Sequence, residues 1–130
     1  MTPENIALVK QSFGRLQPRM GAFTDMFYIR LFDTNPDLCL LFGGKIDQQS
    51  RALASMLAVI VKMLDAQDKL LPMMRQLGQR HAAARVRPEY YALFGDALMW
   101  TLEQMLQGDF TPAVQQAWQQ AYGFLADNML

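Results

Sequence analysis

The chain has 130 residues, enough for one domain with a real core. Its 12 basic and 12 acidic residues cancel to a formal charge of zero and read as scattered, so no basic stripe points to nucleic acid and no lysine-rich arm to anionic lipid. The longest apolar run, ALASMLAVIV between Arg51 and Lys62, falls short of the roughly 18 residues of a membrane span, and the lone Cys39 excludes an internal disulfide and any cysteine-rich metal site.

The opening MTPENIALVK lacks a signal-peptide pattern, so a soluble, cytoplasmic protein is expected. Thr2-Pro3-Glu4 suits a helix start, and Ile6, Val9, Phe13 and Leu16 make one stripe of a helix over 4–17. Pro18 resets the chain. A second helix over 19–33 carries Phe23, Phe27, Tyr28, Leu31 and Phe32 at helical spacing. Asn35-Pro36 marks a corner, and PDLCLLFGG reads as a short helix stopped by Gly43-Gly44.

Asp47 is placed to cap a helix running to about Leu64, with Gln49, Leu53, Met56, Leu57 and Ile60 on one face. Residues 68–82 predict a shorter helix that holds the only histidine, His81. Pro88 opens a long helix with Tyr91, Phe94, Leu98, Leu102 and Met105 in register, and Gly108 closes it. Thr111-Pro112 caps a last helix lined by Val114, Trp118, Ala121, Leu125 and Met129. No segment alternates with period two, so the fold class is all-α. Ten methionines and eight phenylalanines suit either an adaptable core or a large apolar guest.

His81 has three readings. A catalytic triad needs a presented nucleophile, and neither G-x-S-x-G nor a strand to carry it exists. FGGK lacks the rest of a phosphate loop. A structural histidine satisfies the last carbonyls of its helix. A haem ligand needs only one neutral imidazole on one side of the iron and an apolar pocket on the other.

Taken in order and spacing, FYIRLFDTNPDLCLLF, QQSRALASM, LGQRH, VRPEYYALFGDAL and AWQQAYGFLAD resemble the bacterial single-domain globins and the globin module of flavohaemoglobins. The resemblance covers essentially the whole chain. It implies a single globin domain over 1–130, a three-over-three helical sandwich and one haem b (iron protoporphyrin IX). By position, it makes His81 the proximal iron ligand and Phe42 the ring stacked on the porphyrin. Tyr28 becomes the distal tyrosine, Gln49 a second distal polar group, and Leu53 a wall of the same pocket. Val86, Tyr91 and Phe94 fall on the proximal side. Arg80 and Arg85 flank the proposed ligand, where each guanidinium pairs with a haem propionate or faces water; Arg80 is taken as the cofactor contact.

The function implied is binding and storage or transport of O2, with CO and NO as further diatomic ligands, at iron that keeps its sixth position open. The alternative within the family is NO dioxygenation with a separate reductase as partner, since no G-x-G-x-x-G appears. Flavohaemoglobins couple a glutamate beyond AWQQAYG to the proximal histidine; the sequence ends at Leu130 before that place, so weak proximal coupling and little peroxidase character are expected. A haem-free helical interaction module is the reading outside the family. The expected assembly is a monomer or a weak dimer.

Overall fold

A computed structural model describes all 130 residues as six α-helices joined by short 3-10 segments, with no strand. Helix α1 (Pro3–Leu16) starts as its sequence dictates: the Thr2 side chain accepts the Asn5 N–H, and Pro3 occupies a position where its missing N–H costs nothing. A 3-10 turn holding Pro18 leads to α2 (Met20–Thr34), which buries Phe23, Phe27, Tyr28 and Leu31. Pro36–Phe42 is a 3-10 segment throughout. Gly43 and Gly44 end it at φ 57° and 76°, in the left-handed region that glycine enters without steric cost.

Four expected boundaries shift. Helix α3 (Ile46–Lys62) starts earlier than an Asp47 cap would allow: Lys45 is the cap residue, and Asp47 sits inside the first turn, where its carboxylate meets the positive end of the helix dipole. Helix α4 (Gln67–Ala83) has 17 residues, as do α3 and α5 (Tyr90–Leu106), so the helix carrying His81 is not the shorter one. Pro72, exposed in its second turn, cannot donate to a preceding carbonyl, and the helix continues past it. Helix α5 starts at Tyr90, after a turn at Pro88 and Glu89, and not at Pro88 itself; at its end Gln107 rather than Gly108 takes a positive φ, 49°. Helix α6 (Pro112–Met129) is capped by Thr111, which accepts the Val114 N–H.

Helix α1 packs on α6, α2 on α5 and α3, and α4 on α6. Beside these contacts α1 touches α3 and α5, and α5 touches α6, so α1, α3 and α4 pack chiefly on helices of the set α2, α5 and α6, as the expected three-over-three sandwich requires. One apolar cluster runs through both layers, from Val9 and Leu16 through Leu31, Leu64 and Leu102 to Trp118. Full burial of each such aliphatic side chain favours folding by about 1.5–3 kcal/mol. Trp118 donates its indole N–H to buried Ser12 at 2.8 Å, tying α6 to α1 without leaving a polar group unpaired. No helix is long and apolar enough to cross a membrane.

Gly78 fixes how α4 lies. A Cβ there would stand 2.0 Å from the Met129 carbonyl oxygen, so only glycine lets the two backbones approach this closely. His81 follows one turn later.

Candidate functional site: an apolar cavity between α3 and α4

Helices α3 and α4 are consecutive but are not among the packed pairs. Between them lies a cavity of about 570 Å3, within the range of cofactor sites. Of its 29 lining residues 26 are apolar or aromatic, and the other three are Gln49, Arg80 and His81. All nine site residues named from the sequence line this one cavity. Tyr28, Phe42, Gln49 and Leu53 come from α2, the 3-10 segment and α3; Arg80, His81, Val86, Tyr91 and Phe94 come from α4, the following turn and α5. Leu53, Met56 and Leu57 remain only half-buried on a helix face that is apolar along its length.

His81 is half-buried on the last turns of α4. Its Nδ1 lies 3.4 Å from the Tyr91 hydroxyl. Burial, and secondarily the Arg80 charge, hold its pKa below the ordinary 6.5, so the ring is neutral at physiological pH. The helix ends just beyond it. Val86 N–H donates to the His81 carbonyl at 2.9 Å and Arg85 N–H to the Ala82 carbonyl at 3.0 Å, with Arg85 left-handed at φ 68°.

Tyr28 is buried among aromatic rings: Phe27 and Phe42 meet it edge-on at 5.1 and 5.5 Å between centroids, and Phe32 stacks at 5.8 Å. Burial pushes its phenol up to about 12, so it stays a protonated donor throughout the physiological range. The hydroxyl donates to the backbone carbonyl of Gln49 at 3.4 Å, a long and weak bond.

One hydrogen-bonding side chain at the cavity escaped the sequence reading. Tyr122, from the AYG segment of α6, donates its hydroxyl hydrogen to the Tyr91 carbonyl. Its ring lies against Gly95, where a Cβ would come within 2.8 Å of Cε2. The sequence signal was its place four residues after Trp118 on the inner face of α6 and the glycine four residues after Tyr91.

No three His, Cys, Asp or Glu side chains converge as a site for a bare metal ion. The chemistry-bearing groups are instead one imidazole, His81, and the phenols of Tyr28, Tyr91 and Tyr122 at an apolar cavity between two helices. The globin family profile matches residues 25–129. The chain belongs to the globin family. Its all-helical architecture is the globin fold. It is similar along its length to flavohemoproteins: 34% identical over 133 aligned positions to that of Bordetella parapertussis, covering 100% of this chain and 33% of that protein. The flavohemoprotein of Vibrio cholerae is 33% identical over 129 positions, covering 97% of this globin and 33% of that protein. That of Bacillus subtilis is 30% identical over 127 positions, covering 95% and 32%. This globin therefore spans about a third of the length of these relatives.

Proposed function

We propose that this globin holds one haem b between α3 and α4 with His81 as proximal ligand, and that it binds O2, CO or NO on the other side. The observation that carries this reading is the single neutral imidazole in a cavity otherwise walled almost wholly by apolar groups. The residues fit the group. A neutral histidine is the usual haem-iron ligand, the apolar walls suit the porphyrin faces, and the Arg80 guanidinium suits a propionate. When bound, the haem iron supplies the affinity for diatomic gases.

The protein residues orient and protect. With Nε2 on the iron, Nδ1 of His81 would carry the hydrogen, and the Tyr91 hydroxyl 3.4 Å away is placed to accept it. In this reading Phe42 stacks on the porphyrin, Leu53 walls the distal pocket and Val86 and Phe94 lie on the proximal side; all four line the cavity. Tyr28 presents its protonated phenol to the distal side, released from the Gln49 carbonyl at small cost because that bond is long. The Gln49 side chain is the second distal polar group.

The likeness to proteins named flavohemoproteins favours a second reading, in which the same site converts NO and O2 to nitrate with electrons from a separate reductase. Titration of the purified protein with haemin tests the first reading: a Soret endpoint at one haem per chain is expected, and non-stoichiometric uptake would leave a helical interaction module in its place. Consumption of NO measured with a reductase and NADH present separates turnover from simple binding.

A further inference from the structure

The zero net charge conceals a segregation. Between Lys69 and Pro88 stand five cations, Lys69, Arg75, Arg80, Arg85 and Arg87, and no carboxylate. From Pro88 to Leu130 stand five carboxylates, Glu89, Asp96, Glu103, Asp109 and Asp127, and neither lysine nor arginine. All ten are exposed. The charges are not scattered, as their totals suggested; α4 and its following turn are basic, and α5 and α6 are acidic.

The basic half adjoins the cavity. Arg80, Ala84 and Val86 line it and bracket Arg85. Of the four arginines from 75 to 87, only Arg87 has a carboxylate within ion-pair distance, Glu89 at 3.7 Å and exposed. Arg85 also occupies the left-handed position after α4, where glycine would be the unstrained choice.

We propose that Arg75, Arg85 and Arg87, with Arg80 at the rim, dock an acidic one-electron donor protein against the opening of the cavity. The proposal rests on the haem reading above. The donor's reduced flavin or iron–sulfur centre loses one electron and the ferric haem iron gains it, with no bond made and no proton moved. From Arg75 to Ala83, its last residue, α4 advances about 12 Å at 1.5 Å rise, with Arg85 and Arg87 on the turn beyond, a span suited to the small interfaces of redox encounters. A long polyanion would track past this patch into the acidic α5 and α6. A compact acidic partner is instead turned by the same charge asymmetry towards α4.

The test uses the haem-loaded protein and reduced flavodoxin, an acidic FMN protein, as probe. Affinity is measured by fluorescence titration and the ferric-to-ferrous rate by stopped flow, at about 20 and about 300 mM salt. Steering of this kind changes association by about tenfold or more. The variant Arg75→Gln/Arg85→Gln/Arg87→Gln is expected to lose at least that much in both at low salt, with an unchanged CO spectrum. The control Arg15→Gln/Arg19→Gln/Lys62→Gln removes equal charge elsewhere and is expected to change either by less than about twofold. Equal losses in both variants, or none in either, overturn the proposal. So does salt-sensitive self-association through the patch, which would assign it to the acidic face of a second copy. A missing Soret band before flavodoxin is added marks failure of the haem reading instead, and the affinity titration still reports on the patch.

Discussion

The hydroxyl of Tyr122 on α6 bonds the carbonyl of Tyr91 on α5, and the hydroxyl of Tyr91 in turn lies 3.4 Å from Nδ1 of His81 on α4. Three helices thus meet at the ring proposed to hold iron. Tyr122→Phe is expected to cost about 1 kcal/mol of stability, the usual net value of one such bond, measured by urea unfolding. It is also expected to shift the iron–histidine stretching band of the reduced protein, which a purely structural loss elsewhere would leave in place.

Gly78→Ala strikes the backbone of α6 rather than a flexible side chain. Overpacking of this kind costs about 1–3 kcal/mol. Because His81 lies one turn away, the variant is expected to lose haem to apomyoglobin faster than wild type. Wild-type haem retention would show that the approach of α4 to α6 does not position His81.

Removing the Tyr28 hydroxyl tests the distal assignment. A hydrogen bond to a partly charged ligand contributes about 1.5–3 kcal/mol, so Tyr28→Phe is expected to release O2 roughly ten- to more than hundredfold faster. CO carries little such charge, and its release is expected to change by less than about threefold. Equal changes for both gases would point to altered packing against Phe27, Phe32 and Phe42.

Alkali should loosen the fold through the same phenol. Burial raises Tyr28 from 10.0 to about 12, and Tyr91 and Tyr122 are raised for the same reason. A pKa raised by folding gives stability that is complete below the unfolded value and is lost as pH climbs through the folded one. For Tyr28 the window runs from pH 10 to about 12 and the loss reaches about 3 kcal/mol. Urea midpoints across that window should fall, and less steeply in Tyr28→Phe.

Much of this was legible in the sequence because helical periodicity reports burial directly. The stripes of α1, α2, α3, α5 and α6 are the observed inner faces, and the nine site residues converge on one cavity. The bounds of α4 were read to within one residue at each end despite Pro72; the start of α5 was harder to read, since Pro88 and Glu89 form a turn before Tyr90. The role of Tyr122 depends on a backbone carbonyl, which carries no residue-type signal, and on a glycine whose purpose appears only when α6 is laid against α5. The charge segregation was present in the sequence but invisible in its totals.

The central claim is that His81 holds a haem whose other face is open to ligand. The decisive measurement is the absorption spectrum of the haem-loaded, reduced protein before and after CO, beside His81→Gly with and without added imidazole. The account predicts a sharp Soret shift on CO in wild type, its loss in the variant, and its return with imidazole. An unchanged CO spectrum in His81→Gly without imidazole would contradict it.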